Sequence, residues 1–146
     1  MHKFWMILVV ISSLVALWFS GLAMKGLWDY SRLNTASRAE ISEWRVVKKS
    51  SDQFAIEASY SFKASGRESY GKTIFAKPYF LNVPSAERTI KELKGKTWTV
   101  WYNSENPSVS TLQKNFPFVT CIQAFLVLAV TLYFVFLRGF LTKLTL

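Results

Sequence analysis

The residue types that serve most enzymes as nucleophiles, bases and zinc ligands are scarce in this sequence. His2 is the only histidine and Cys121 the only cysteine, and each lies in one of the two apolar end regions. The charged segment between those regions therefore has no side chains for a His/Cys zinc site, a serine–histidine triad or a cysteine nucleophile.

Carboxylates and Ser–Lys pairs are the remaining candidates for catalysis. Glu40 with Glu43, and Glu87 with Glu92, have the spacing of ordinary surface charges, and no acidic cluster indicates a calcium or magnesium loop. A Ser–Lys dyad within residues 48–51 would need a desolvated lysine, whereas that run is typical of a turn. No glycine-rich phosphate loop is present. We therefore expect a protein that is not an enzyme and has no cofactor or metal.

Two apolar runs define the organisation of the chain. Residues 116–137 contain no charged residue, and a helix of this length would cross a hydrocarbon core of about 30 Å. Residues 4–24 form a second uncharged run near the N-terminus. Gly21 and Ala23 would suit a signal-peptide cleavage site, but the run is long enough to span, and we favour a retained anchor. We predict two transmembrane helices.

Charge is concentrated between these helices. All nine acidic residues and fifteen of the eighteen basic residues lie between Lys25 and Lys114, in a protein of formal net charge +9. A basic surface beside a bilayer favours contact with anionic lipid head groups or simply keeps the domain soluble, whereas nucleic-acid binding usually needs a denser basic stripe or a known module. We therefore expect membrane lipids as partners and no nucleic acid.

Small and polar residues in the apolar runs indicate how the two helices pack. Small side chains at a helical spacing let transmembrane helices approach closely, where packing and hydrogen bonds hold them together. Gln123, the most polar residue of the second run, would bond within the helix pair or to another copy of the protein. The predicted packing residues are Ser12, Ala16 and Ser20 on the first helix, and Thr120, Gln123 and Ala124 on the second.

The period of the pattern changes from helix to strand in the middle of the chain. Apolar residues alternate with small or charged ones over 54–63, which predicts a strand with one buried face. Ser65-Gly66 predicts a tight turn, and 67–75 a return strand. A weaker alternation predicts an earlier strand over about 38–49. Large rings should supply most of the core, and we expect it from these aromatics: Trp44, Phe54, Tyr60, Phe62, Tyr70, Phe75, Tyr79, Phe80, Trp98, Trp101 and Tyr102.

The second half of this segment predicts one helix and further strands. Pro84 and Ser85 begin a helix to Leu93, with Gly95 as its stop signal. A central, buried strand is expected over 96–102, and a short one over 109–112. The fold class is thus a membrane protein of the α+β type, with two transmembrane helices flanking a small, mainly antiparallel β-domain. The expected divisions are 1–30, 31–114, 115–137 and a basic, apolar tail over 138–146.

One loop and one helix face are candidates for a contact surface. Tyr79, Phe80 and Leu81 follow Lys77-Pro78; they either close the edge of the core or expose an apolar patch to a partner or to lipid. Arg88 and Lys91 lie on the helix face opposite Ala86, Ile90 and Leu93, as a solvated face or a contact with lipid head groups.

The order of these elements and several short motifs resemble the bacterial membrane proteins grouped as domain-of-unknown-function family 3592. The closing motif, Trp101 to Ser108, is similar to the family's Tyr-Tyr-x-Pro-x-Asn-Pro ending, with Ser104 at the first proline. The resemblance implies a small β-domain held by helices at both ends and supplies no catalytic or binding residues. Other matching positions are Tyr60-x-Phe62, Gly66-Arg67 followed by Tyr70, and Gly95 with Val100-x-Tyr102.

These observations lead to one expected function and one alternative. We expect a non-enzymatic membrane protein whose β-domain is an interaction or scaffold module for an envelope protein, or for another copy of itself. The alternative is a domain that senses lipid or a small ligand at the membrane surface. The basic start before the first apolar run favours cytoplasmic termini and an extracytoplasmic β-domain in a bacterial inner membrane.

Overall fold

The structure, a computed structural model, describes residues 2–144. The chain divides into two compact units: a helix unit made of residues 1–30 and 116–146, and a β-domain made of residues 31–115. The predicted layout of helix, β-sheet and helix is confirmed. The elements in chain order are α1 (His2–Arg32), β1 (Thr35–Ser50), β2 (Gln53–Ala64), β3 (Arg67–Ile74), α2 (Val83–Leu93), β4 (Trp98–Tyr102), β5 (Ser110–Thr111) and α3 (Phe118–Leu144).

Both terminal helices extend beyond the apolar runs that predict them. Two spans, Lys3–Arg32 and Phe118–Leu141, are long and apolar enough to cross a membrane. α3 continues as helix into the segment expected to be a separate tail, while residues 145 and 146 of that tail lie outside the described part of the chain. Most of the large apolar side chains of both helices are exposed, as Leu17 and Phe125 illustrate.

The two helices of the helix unit pack against each other in antiparallel directions. The Thr131 hydroxyl donates to the backbone oxygen of Ser12 at 3.1 Å, as well as to that of Val127 at 2.9 Å. At the other end, a Cβ added to Gly26 would lie 2.9 Å from the Cβ of Pro117. The small residues Ser12 and Gly26 thus lie at these two contacts, as close packing of helices requires.

The β-domain contains a five-stranded antiparallel sheet in the order β3-β2-β1-β4-β5. β1 and β2 pair along most of their length, with a bulge at Ser42. The β2–β3 hairpin turns at Ser65 and Gly66, whose φ angles of 50° and 81° are those of a tight two-residue turn. The predicted hairpin is therefore confirmed. We expected β4 to be the central strand, but β1 is central. The chain returns from α2 and pairs, as β4, with the side of β1 that β2 leaves open.

The alternation of β2 defines the core of this sheet. Ile56, Ala58, Tyr60 and Phe62 are all buried, and Phe54 packs against them, as their period predicts. On β3 the expected core residue Tyr70 is 71% exposed, and Ile74 on the same face is 53% exposed, because β3 directs Thr73 inward instead. Other buried members of the core are Ala39, Ala64, Phe75, Phe80, Ala86, Ile90, Val100, Tyr102 and Leu112.

Side-chain hydrogen bonds bring the two outer strands of the sheet together. The hydroxyl of buried Tyr60 lies 3.1 Å from Thr73 Oγ1 on β3 and 3.1 Å from Ser110 Oγ on β5. Thr73 Oγ1 also accepts from the Leu112 backbone N–H at 3.0 Å. A Cβ at Gly71 would lie 2.7 Å from the Tyr60 ring, so glycine permits this approach. The sheet is thereby curled into a near-barrel.

Helix α2 packs on β1 and β2 through its apolar face. Ala86 and Ile90 are fully or almost fully buried and Leu93 is half-buried, as predicted. Asn82 caps the helix, since its Oδ1 accepts from the Ser85 N–H at 2.9 Å. The helix ends at Leu93, as predicted, with Lys94 as its C-cap, and Gly95 follows in the turn without a positive φ angle.

The Asn82 cap gives the first testable prediction. Asn82→Ala should lower the free energy of unfolding of the β-domain by about 1 kcal/mol, because an N-terminal N–H of α2 loses its acceptor. Pulse proteolysis of the full-length protein in urea and mild detergent would measure this. Asn82→Asp keeps the acceptor and should behave nearly as the wild type. Equal losses in both variants would contradict a capping role.

Candidate functional site

The loop at residues 79–81 is divided between core and surface. Phe80 is 9% exposed, and its backbone N–H and C=O bond to Phe54 at 2.9 and 2.8 Å. Leu81 is 81% exposed and Tyr79 is 42% exposed. Both interpretations of the loop are therefore partly met: Phe80 closes the core, while its two neighbours present apolar surface.

Tyr79 is held in place from β1. The Lys49 ammonium donates to the Tyr79 hydroxyl at 3.0 Å and lies 4.7 Å from the centroid of its ring. Such a cation–π contact orients a ring without removing it from solvent. Leu81, two residues further along the chain, is thus an exposed apolar side chain that follows an aromatic residue held by Lys49.

The basic side chains of α2 are exposed, as the helical wheel predicts. Arg88 and Lys91 lie away from the buried pair Ala86 and Ile90. Leu81 lies two residues before α2 begins, so the apolar loop and the basic helix face are neighbours in sequence.

Five of the six predicted packing residues lie on the inner sides of the terminal helices. Ala16 is 6% exposed, and Ser12, Ser20, Thr120 and Ala124 are half-buried. The Ser12 hydroxyl also donates to the backbone oxygen of Val9 in its own helix, at a distance of 3.0 Å. Gln123 does not join them: its side chain is exposed, although it lies three residues after the half-buried Thr120. Its contact with another copy stays a prediction.

The charged residues of the β-domain are at the surface. Among the described residues, no three His, Cys, Asp or Glu side chains are grouped so as to hold a metal ion. The hydrogen bond from Arg45 Nε to Glu43, at 2.8 Å, raises the pKa of Arg45. The negative charge of Glu68 raises the pKa of the Tyr70 hydroxyl. Both effects occur at exposed side chains and keep these groups in their ordinary protonation states.

A groove beside β1 was not anticipated from the sequence. β4 pairs with β1 only from Thr35 to Ala39, and the chain before Trp98 turns away towards α2. The groove between β1 and this segment has a volume of about 590 Å³. It is lined by residues 38–44 on one side and by Leu93, Lys94, Lys96, Thr97 and Trp98 on the other. The sequence offered one indication of this groove. The strand predicted over about 38–49 is much longer than the strand predicted over 96–102.

The fold is a near-barrel sheet that follows one long apolar helix in the chain and precedes another. Comparison with protein families identifies the family of this chain. The chain belongs to the family described as Domain of unknown function (DUF3592), whose model matches residues 35–117, more than half of the chain. The match begins where β1 begins and ends just before α3, so it covers the β-domain. This confirms the resemblance seen in the motifs. In comparisons with curated proteins and with solved structures, nothing matches this chain.

Proposed function

We propose that this is an integral membrane protein whose β-domain is a non-enzymatic docking module for a protein of the bacterial envelope. The exposed apolar side chains of α1 and α3 support insertion, since such surfaces are stable in lipid and not in water. Their two spans tether the β-domain at both ends. The proposed cellular site is the inner membrane, with both termini in the cytoplasm.

The observation that carries the docking proposal is the exposure of Leu81 beside Tyr79. Leu81, at 81%, is more exposed than Tyr70 and Ile74, the exposed apolar side chains of β3, and it lies two residues along the chain from the ring that Lys49 holds. An isolated exposed leucine is common, but a leucine beside an oriented aromatic residue offers the kind of anchor that partner pockets bind.

Photo-crosslinking from position 81 tests this proposal. A photoreactive phenylalanine derivative replacing Leu81 should give one discrete protein adduct in native membranes, and the same group at exposed Lys63, on β2, should not. Leu81→Ser should release the partner in mild detergent. Labelling of lipid alone at position 81 would contradict docking.

A lipid-sensing role is the second candidate, and the exposed Arg88 and Lys91 favour it. Cations near anionic head groups contribute about 1 kcal/mol each. In reconstituted membranes, the photoreactive group at position 81 would then label lipid more strongly when anionic lipid is present. Replacing both Arg88 and Lys91 by glutamate would abolish this dependence on anionic lipid. The reversal Lys63→Glu with Lys72→Glu, at exposed positions on β2 and β3, is the matched control.

The orientation of the protein is tested at the β2–β3 turn. A reporter fused after Ser65 falls in an exposed two-residue turn, where the chain tolerates insertion. We expect activity from a reporter that works only outside the cytoplasm. Activity from a cytoplasmic reporter alone would reverse the proposed orientation.

A further inference from the structure

The open side of β1 is an unpaired strand edge. From Glu40 to Ser50, β1 pairs with β2 on one side, and within the described residues no strand pairs with its other side. Backbone N–H and C=O groups on such an edge remain available to another extended chain. Free edges are usually protected, and Lys48 and Lys49 protect the far part of this one. The stretch from Glu40 to Trp44 borders the groove and contains the bulge at Ser42.

The groove has an aromatic, half-buried floor. The rings of Trp44 and Trp98 are 5.7 Å apart, and each also packs on Phe75, at 5.8 and 5.4 Å. The Trp98 indole N–H donates to Leu93 O at 3.3 Å, which fixes the ring beside the end of α2. A strand added next to β1 would therefore place every second side chain over a rigid apolar surface.

The charges along the groove select the chemistry of an occupant. Three basic side chains line the groove and form no ion pair within the described part of the chain: Arg38, Lys94 and Lys96. Of the two acidic residues that line it, Glu40 likewise forms no ion pair there. Glu43 is neutralised by Arg45 at 2.8 Å. The groove is thus basic. A second copy of this chain, with net charge +9, is a poor match to it, whereas an acidic segment is complementary.

From this geometry we infer that the edge of β1 binds an extended, acidic segment of a partner protein by strand addition. Backbone hydrogen bonds to residues 40–44 supply the affinity, an apolar side chain contacts Trp44 and Trp98, and acidic side chains face Lys94 and Lys96. The inference rests on the proposed function only in taking the β-domain as a docking module. It involves no residue of the 79–81 loop, so either proposal can fail alone.

A defined peptide tests strand addition with the full-length protein in mild detergent. The probe is a seven-residue peptide alternating aspartate and valine, with leucine at its centre. Hydrogen exchange should slow at least several-fold over residues 40–44 when the peptide is added, and should not change over β3. A peptide with alternate backbone nitrogens methylated carries the same charge and side chains, yet it should not bind because it lacks the N–H donors.

Charge variants separate groove binding from general attraction. Lys94→Glu with Lys96→Glu should weaken the peptide at least tenfold, while the reversal at Lys63 and Lys72, at exposed positions on other strands, should change its affinity less than twofold. Thermal unfolding of each variant shows that the fold is kept.

Three outcomes would overturn the inference. They are equal binding of the methylated peptide, absence of binding at millimolar concentration, and protection outside β1. A fourth concerns the occupant. If a Ser42→Cys variant formed a disulfide-linked dimer in high yield, and the protein were dimeric by light scattering, a second copy would occupy the edge instead. The Leu81 crosslink is measured separately in each case.

Discussion

Tyr60→Ala is expected to lower the free energy of unfolding of the β-domain by about 3–5 kcal/mol. The Tyr60 side chain is 1% exposed and among the largest that are fully buried, with its ring 6.1 Å from that of Phe62. Removing it leaves a cavity and also removes the hydroxyl that joins β3 and β5. Because a small domain has only about 5–15 kcal/mol in total, much of the protein should become sensitive to protease without denaturant.

Two companion variants divide the effect of Tyr60 between ring and hydroxyl. Tyr60→Phe keeps the ring and should cost only about 1 kcal/mol, since Thr73 Oγ1 retains the Leu112 N–H as a partner. Thr73→Val removes that acceptor as well and should cost more than Tyr60→Phe. Pulse proteolysis in urea gives all three values. If Tyr60→Phe were as destabilising as Tyr60→Ala, the hydrogen bonds and not the packing of the ring would hold the near-barrel.

Ala16→Leu is expected to weaken the pairing of α1 with α3 by about 1–3 kcal/mol. Ala16 is 6% exposed within the helix unit, four residues after the Ser12 oxygen that accepts from Thr131. A leucine there has no space unless the helices separate. The Ser12–Thr131 and Gly26–Pro117 contacts define a register in which native Cys121 is level with Leu22, one residue from the buried Ala23, so an Ala23→Cys variant should crosslink to it on oxidation.

In the Ala23→Cys variant, the yield of the disulfide to Cys121 measures the pairing of α1 with α3. Proteolysis within the β-domain followed by a non-reducing gel shows whether the two helices remain joined. Adding Ala16→Leu should reduce the yield several-fold. Ala129→Leu makes the same change at an exposed position of α3 and should leave the yield unchanged. A yield unaffected by Ala16→Leu would mean that the helices do not pack through this face.

The sequence predicted the elements better than it predicted their neighbours in space. Alternation from Phe54 to Phe62 identified the inner face of β2, and the Ser65-Gly66 turn set the hairpin. The exposure of Tyr70 was missed because aromatic character does not reveal which face of a strand a residue occupies. The direction of β3 is decided by the buried Thr73, whose polar side chain gave no inward signal.

The candidate surfaces show the same difference between local and long-range information. Helical spacing placed Arg88 and Lys91 correctly, because both lie on one continuous helix. The fixing of Tyr79 by Lys49 and the groove beside β1 depend on residues far apart in the chain. Gln123 was assigned by its polarity, and its side chain is exposed although it lies three residues after the half-buried Thr120.

The pairing of α1 with α3 has a thermodynamic effect on the stability of the β-domain. Because the helices hold both ends of residues 31–115 together, the unfolded β-domain is a closed loop with fewer conformations than a free chain. For a covalent link closing a loop of this size, the chain-entropy model gives roughly 4–5 kcal/mol. A reversible helix pair contributes part of that, so the excised domain should melt at a lower temperature than the same residues within the whole protein.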